Sequence, residues 1–189
     1  METACETSYC RTVSDSEETT EAFIALGSNL GDRLSHLRAS IQALKAHPDI
    51  QVIQVSPVYR THAHTLSPDE RQPDYLNAVV RIRTRLSPED LLSVCHRIER
   101  GEGRNRATEP RWAPRTLDLD LLLYDRLSFS TERITLPHPR MGERRFVLCP
   151  LNDLAPNLHV PAPYDHTVAE LLASCPDPDR PERIAENLE

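Results

Sequence analysis

No glycine cradle for phosphate occurs in this sequence. A Gly-x-x-x-x-Gly-Lys-Ser/Thr run is absent, which excludes a P-loop. Gly101-Glu102-Gly103 is not followed by the third glycine of a dinucleotide fingerprint, and there is no Gly-x-Ser-x-Gly elbow. Any phosphate held here has to be held by arginines and a metal ion. The five cysteines (Cys5, Cys10, Cys95, Cys149 and Cys175) are odd in number and scattered, with no Cys-x-x-Cys and no zinc spacing. Cys95 and Cys149 fall in apolar helical patterns and read as buried thiols, which suits a reducing, cytoplasmic setting. No stretch approaches ~18 apolar residues, so no membrane span is expected. The N-terminus has no apolar signal core, and its acidity argues against a mitochondrial presequence.

Positive charge is also short overall. The net charge is −7 over 189 residues, which disfavours non-specific nucleic-acid binding. The imbalance is local. Residues 1–21 carry six acids against Arg11 alone. Residues 97–115 run the other way, with six arginines against three glutamates. A positive cluster on an acidic chain suits a small anionic ligand better than a long polyanion.

What is present is concentrated between Arg104 and Tyr124. Arg104, Arg106, Arg111, Trp112 and Arg115 lead into a strand with two aspartates. Leu117, Leu119, Leu121 and Leu123 alternate with Asp118, Asp120, Leu122 and Tyr124, and period two assigns the two sets to opposite faces. Asp118 and Asp120 then point the same way, with Cα atoms roughly 6.7 Å apart. Carboxylates that close repel unless a cation lies between them. Hard oxygen ligands suit Mg²⁺, which takes one or two carboxylates plus phosphate oxygens, and neighbouring arginines suit phosphate. Each half of this pattern also occurs as a plain solvated surface; joined within about twenty residues, they read as a nucleotide phosphoryl-transfer site.

The elements around it follow from pattern and punctuation. Residues 1–20 are polar and acidic and read as a disordered tail. A domain over 21–175 begins with the short apolar strand Ala22–Leu26. Asp32 can cap a helix with Leu34, Leu37, Ile41 and Leu44 on one face, ended by His47-Pro48. Ile50 to Tyr59 reads as a second strand and Tyr75 to Thr84 as a third. Ser87-Pro88 opens a helix that runs through Leu91, Cys95, Ile98 and Glu99. With the Asp-x-Asp strand, the order is βαββαβ, an α+β fold with a ferredoxin-like core: an antiparallel sheet with helices packed on it. A C-terminal extension follows, with an extended stretch at Arg133–Leu136 and a helix near Arg145–Asn152. Residues 176–189 form a C-terminal tail that reads as loosely held.

At these residues the chain resembles the 6-hydroxymethyl-7,8-dihydropterin pyrophosphokinase family of folate biosynthesis. The resemblance runs through Phe23–Asp32, Ser56–Thr61, Gln72–Ala78, Arg97–Glu99, Arg111–Asp120, Leu136–Met141 and Arg144–Leu148, covering about residues 22 to 160. Its most specific part is Arg111-Trp112-Ala113-Pro114-Arg115-Thr116-Leu117-Asp118-Leu119-Asp120. The resemblance implies transfer of pyrophosphate from ATP to the pterin hydroxymethyl, with AMP released and attack at the β-phosphorus. It implies two Mg²⁺ ions on Asp118 and Asp120, and catalytic roles for Arg104 and Arg115 beside that pair. It implies ATP contacts from Ile98, Glu99, Arg104, Arg106, Trp112, Arg115, Arg133, Thr135, His138 and Arg144. It implies pterin contacts from Thr61, Tyr75, Asn77, Trp112 and Phe146, and a monomer that engages small molecules rather than nucleic acid or membrane. Read without it, Tyr75 and Phe146 are equally core aromatics and His138 a loop histidine. The chain departs from the family pattern at His62-Ala63-His64, at Pro110 in the arginine segment and at Pro139 after His138. The residue chemistry by itself leaves two other readings open: a different Mg²⁺-dependent phosphoryl or nucleotidyl transferase, and a non-catalytic ferredoxin-like ligand-binding module.

Overall fold

The computed structural model describes residues 19–63, 72–104, 113–184 and 188. The core order is β1 (Thr20–Ser28), α1 (Arg33–Lys45), β2 (Ile50–Val55), β3 (Val58–Thr61), β4 (Tyr75–Thr84), α2 (Pro88–Gly101) and β5 (Asp118–Tyr124). The second strand expected from Ile50 to Tyr59 is therefore two pieces. Pro57 has no N–H to give to the ladder. Ser56 carries the pairing past the gap: its N–H donates to Val79 O at 2.9 Å, and its Oγ accepts from Val79 N at 2.9 Å. Both pieces lie antiparallel on β4, β4 lies antiparallel on β1, and β1 on β5. With β2 and β3 counted as one interrupted strand, this is the ferredoxin-like order, second–third–first–fourth.

The helices start where side-chain caps permit. Asp32 Oδ1 accepts from Ser35 N at 3.1 Å and opens α1; Ser87 Oγ accepts from Asp90 N at 3.2 Å and opens α2, with Pro88 as its first residue. Helix α1 stops at Lys45, just short of the His47-Pro48 expected to end it. Leu37, Ile41 and Leu44 from α1 and Leu91, Val94 and Cys95 from α2 pack on one face of the sheet, against Ile24, Leu26, Ala78, Val80, Leu119 and Leu121. Within that apolar stripe of α2 sits one acid, the fully buried Glu99.

The rest of the chain covers the other face only in part. A small hairpin pairs β6 (Phe129–Ser130) with β7 (Thr135–Leu136), and a single 3₁₀ turn follows at Met141–Glu143. Then come α3 (Arg145–Leu154), the pair β8 (His159–Val160) and β9 (His166–Thr167), and α4 (Val168–Ser174), which opens on a reciprocal Thr167–Glu170 capping box. Val147, Leu148 and Leu151 of α3 and Val168 and Leu171 of α4 bury Phe23, Val79 and Leu123.

Three expectations are corrected. The strict alternation along Leu117–Tyr124 breaks, because Phe23 pairs with Leu123 but Ile24 pairs with Leu121. Leu122 is an extra residue, a β-bulge, and beyond it the faces swap: Leu123 joins the α3–α4 core and Tyr124 the α1–α2 core. Cys149 is half-buried rather than buried, unlike Cys95. From Pro176 to Ile184 the chain is held, not loose: β10 (Glu182–Ile184) pairs antiparallel with β3, and Leu188 is buried in the α1–α2 core. The acidic N-terminal stretch lies outside the described residues up to position 18. Among the described residues no helix is long and apolar enough to cross a membrane.

Leu37 is fully buried and far from the open part of the sheet. Leu37→Ala should cost about 2–5 kcal/mol through lost burial and the cavity left behind. Urea unfolding monitored by circular dichroism reads this directly; a cost below about 1 kcal/mol would mean the α1–α2 core is not packed as described.

Candidate active site

The sheet face opposite α1 and α2 outruns the cover that α3 and α4 provide, and the uncovered part is a cleft of about 890 Å³. Its floor is set by register. Gly27 on β1 sits between Asn77 on β4 and Asp118 on β5, and two residues along Ala25 sits between Val79 and Asp120. Glycine is needed at 27 for room: a Cβ there would meet Asn77 Oδ1 at 3.2 Å, with Tyr75 and Asp118 close behind. Asp118 and Asp120 do share one face and open into this cleft, as period two predicts.

Asp118 is the centre of a charge chain. Arg104 Nη1 donates to Asp118 Oδ1, to Glu99 Oε1 at 2.6 Å and to Leu117 O at 3.3 Å. Arg115 Nη1 donates to Asp118 Oδ2 at 2.6 Å. Burial pushes the Asp118 carboxyl up, but Arg104 and Arg115 more than offset this and leave it below its ordinary value. Glu99 does not reach the cleft. Its Oε1 also accepts from Leu119 N at 2.8 Å, so it pins Arg104 to the backbone of β5. Arg115 is fixed through its main chain: Asn29 Oδ1 accepts from Arg115 N at 2.7 Å, and Arg115 O accepts from Asn29 N at 3.0 Å and Leu30 N at 3.1 Å. Arg115 Nε is buried and finds no acceptor among the described residues, which leaves a donor for a ligand oxygen.

A second cationic group faces Asp120. Arg144 Nη1 lies 3.9 Å from Asp120 Oδ2, and its guanidinium is over the Phe146 ring at 5.5 Å. His138 is held by its backbone, its N–H donating to Leu122 O at 2.9 Å and its carbonyl accepting from Tyr164 Oη at 2.9 Å. The carbonyl that anchors it belongs to the bulged residue. His138 Nδ1 accepts from Arg140 N at 3.2 Å, so the neutral ring carries its proton on Nε2. Burial and the nearby Arg144 push its pKa down to about 4, so the ring is neutral at physiological pH. Arg140 and Glu143 line the cleft beside it, 3.4 Å apart at Nε and Oε2.

Aromatic and neutral polar groups line the cleft beside these charges. They are Tyr75 and Phe146, with Thr61, His62 and Asn77. Asn77 Nδ2 donates to the buried Thr61 Oγ1 at 2.8 Å, which fixes the amide plane. Burial raises the Tyr75 phenol above its usual range and keeps it neutral. Pro176, Asp177 and Pro178 complete this wall.

Ten of the side chains singled out in the sequence thus meet in one cleft: Thr61, Tyr75, Asn77, Arg104, Arg115, Asp118, Asp120, His138, Arg144 and Phe146. Four do not. Glu99 is buried behind Arg104, and Ile98 packs against the α1–α2 core. Arg133 lies on the surface, its Nη2 donating to Ser93 Oγ at 3.2 Å. Thr135 bonds Ser130 across the hairpin at 2.7 Å. Arg106, Trp112, Pro110 and His64 lie outside the described residues. Sequence reasoning missed Gly27, Arg140 and Asp177; for Asn29 it offered a turn residue or, from the resemblance, a place near the pocket. Glu99 offered a signal, an acid inside the apolar stripe of α2; the bonds of Asn29 and Asp177 span 86 and 32 positions and left none. Among the described residues no three His, Cys, Asp or Glu side chains converge as a metal-holding group, so the two aspartates would share any cation with ligand oxygens.

A profile of the 7,8-dihydro-6-hydroxymethylpterin-pyrophosphokinase (HPPK) family matches residues 23–156. The chain is 46% identical over 133 residues to a 2-amino-4-hydroxy-6-hydroxymethyldihydropteridine pyrophosphokinase of Bacillus subtilis, covering 70% of this chain and 77% of that one. It is 43% identical over 165 residues to the protein of the same name from Methylorubrum extorquens, covering 87% and 99%. Among solved structures, an HPPK-DHPS chain in complex with substrates superposes with a TM-score of 0.63 at 12% identity, which is a likeness of fold. That alignment covers 82% of this chain, which spans only 43% of the longer solved one.

Two measurements test this geometry. Glu99→Ala removes one of the two carboxylates on Arg104 and leaves the buried Leu119 N without its acceptor, so it should cost about 1–3 kcal/mol in urea unfolding. Glu99→Gln, which keeps an acceptor for Leu119 N, should cost less; equal costs would show that the acceptor contributes nothing. The histidine gives a pH signature. An unfolded histidine binds its proton near 6.5 and folded His138 near 4, so the unfolded state holds more protons between these values. Stability from this group is complete above pH 6.5 and is lost as pH falls toward 4. His138→Gln should flatten the urea midpoint over that window, and a curve as steep as the parent's would refute the shift.

Proposed function

The chain belongs to the 7,8-dihydro-6-hydroxymethylpterin-pyrophosphokinase family, and we propose that the cleft on its sheet is where that family's reaction takes place. The protein transfers pyrophosphate from ATP to 6-hydroxymethyl-7,8-dihydropterin, releasing AMP, in folate biosynthesis. In that transfer the acceptor hydroxyl oxygen bonds to the β-phosphorus as the bond to the α–β bridging oxygen breaks. Catalysis of this kind is mostly positioning and charge neutralisation. The observation that carries the assignment is the row Asn77–Gly27–Asp118 across three strands, which sets an amide that reads a flat heterocycle beside a carboxylate under two arginines.

Asp118 and Asp120 are the residues that would hold magnesium. Two carboxylates on one strand face fit a hard cation that completes its shell with phosphate oxygens, and the expected number of ions is two. Bound there, magnesium supplies charge neutralisation for the ATP phosphates and makes the acceptor hydroxyl more acidic. Asp118 shares its oxygens with Arg104 and Arg115, so the two arginines are already poised over the same charge. They neutralise the phosphate oxygens as charge moves to the departing AMP. Arg115 Nε, buried without an acceptor among the described residues, adds a further donor. His138 donates from neutral Nε2, and Arg144 and Arg140 add positive charge on the same side.

The pterin lies between Tyr75 and Phe146, with its edge at Asn77, next to the phosphate groups. Thr61 prevents the amide from turning. Arg106 and Trp112 keep the roles the resemblance gives them, Arg133 and Thr135 are assigned to the nucleotide's outer rim, and Ile98, packed against the α1–α2 core, is given no contact. Glu99 acts through Arg104. The resemblance implies a monomer as the working unit, and the buried free thiols Cys95 and Cys175 suit a cytoplasmic setting.

The deciding assay mixes the protein, ATP, Mg²⁺ and 6-hydroxymethyl-7,8-dihydropterin and resolves AMP from ADP and pyrophosphate. AMP should form only with the pterin present; ADP or free pyrophosphate as the product would overturn the reading. Asp118→Ala and Asp120→Ala should each lower kcat by at least about a hundredfold. Arg115→Ala should lower kcat more than it raises the KM for ATP, because its proposed contribution grows with charge on the leaving group.

A further inference from the structure

We infer that the segment from Cys175 to Ile184 is a strap that sets the width of the acceptor end of the cleft, with Asp177 as its positioning residue. The inference rests on the assignment of Tyr75, Asn77 and Phe146 to the pterin. The strap lies beyond residues 23–156, the part of the chain that the family profile matches, yet Pro176, Asp177 and Pro178 form cleft wall together with Thr61, Asn77 and Phe146.

One end of the strap is tied to the start of α3. Asp177 is only 7% exposed. Its Oδ2 accepts from Arg145 N at 2.9 Å and its Oδ1 from Asp179 N at 3.0 Å. Arg145 answers with its side chain, Nε donating to Asp177 O at 2.7 Å and Nη2 to Cys175 O at 3.3 Å. Arg145 stands between Arg144 and Phe146, so these bonds fix the backbone that aims both. With both carboxylate oxygens engaged, Asp177 acts through Arg145 and not on the ligand.

The other end is tied to the opposite wall. Glu182, Arg183 and Ile184 pair with Arg60, Tyr59 and Val58 of β3, and Arg60 and Glu182 form an exposed ion pair. His62 Nδ1 lies 3.3 Å from Asp179 Oδ1. The next residue of β3, Thr61, holds the Asn77 amide. One short run of chain therefore joins the wall that carries Phe146 to the wall that carries Thr61 and Asn77. Pro176 and Pro178 flank Asp177 and restrict the backbone there, which lowers the entropy lost in holding the strap in place. A flat ring gripped from both sides needs its walls held to about 0.5 Å, and the strap adds a second tie to the one made by Tyr59 Oη, which donates to Asp153 Oδ2 at 2.7 Å.

The test is steady-state kinetics on the full chain with each substrate varied in turn. Asp177→Ala should raise the KM for 6-hydroxymethyl-7,8-dihydropterin about tenfold, with the KM for ATP and kcat within about threefold of the parent. Arg145→Met removes the two side-chain bonds to Asp177 O and Cys175 O and keeps the main-chain bond; it loosens the same junction and should give the same split, and it carries the test if Asp177→Ala does not fold. Asp177→Asn keeps an acceptor for Arg145 N and should return the pterin KM to within about twofold. An unchanged pterin KM in a folded variant, a parallel rise in both KM values, or no rescue by asparagine would overturn the inference. Phe146→Ala separates the two levels. If it raises the pterin KM while the strap variants do not, the strap falls and the subsite stands. If it leaves the pterin KM unchanged, the subsite assignment falls and the strap inference with it.

Discussion

One buried carboxylate organises the site. Glu99 sits in the interior with no access to water, where an unpaired charge would be very costly. It is tolerated because Leu119 N and Arg104 both donate to it. Arg104 then extends its remaining reach to Asp118, Asp118 accepts Arg115 as well, and Asn29 clamps the Arg115 backbone. The chain of alternating charge runs from the interior of α2 to the mouth of the cleft. Apolar side chains of similar volume could fill the same space at no loss of stability. The reason to keep ions there is direction: a buried guanidinium anchored at its far side cannot swing away from Asp118.

The fold makes room for this by covering its sheet unequally. Helices α1 and α2 close one face along the length of the strands. On the other face α3 and α4 cover only the end marked by Phe23, Val79 and Leu123. Strands β1 and β4 are nine and ten residues long and run past that cover, so small or polar residues (Gly27, Asn77) appear where apolar ones would otherwise be needed. The same strands that build the core thus become the floor of the cleft, and floor positions inherit the rigidity of the ladder.

Much of this is legible in the sequence because local chemistry carries it. Asp32 and Ser87 announce helix starts, and Leu37, Ile41 and Leu44 announce a buried face. The period-two spacing of Asp118 and Asp120 is enough by itself to give them a shared direction. The membership of ten side chains in one cleft comes from the family resemblance, which transfers roles more readily than directions. That is why Glu99 is expected to face the nucleotide when its direction is inward. The bulge at Leu122 has no mark, since three leucines in a row look alike whichever is extra. Asn29 with Arg115 and Asp177 with Arg145 depend on parts of the chain that meet only once the sheet is formed. The stretch after Pro176 reads as loose because its prolines and acids resemble a tail; its pairing partner is β3, more than a hundred positions earlier.

The bulge at Leu122 also shifts which positions of the strand share a face. On its N-terminal side, even-numbered positions (Asp118, Asp120) face the cleft; on its C-terminal side an odd one, Leu123, faces the α3–α4 core. Deleting Leu122 would make a straighter strand and would leave Asp118, Asp120, Leu123 and Tyr124 on their present faces, because the bulge is the one residue outside the alternation. What would be lost is the carbonyl that seats His138. The extra residue therefore serves the histidine and not the faces of the strand: it turns one main-chain oxygen out of the ladder and toward the cleft wall.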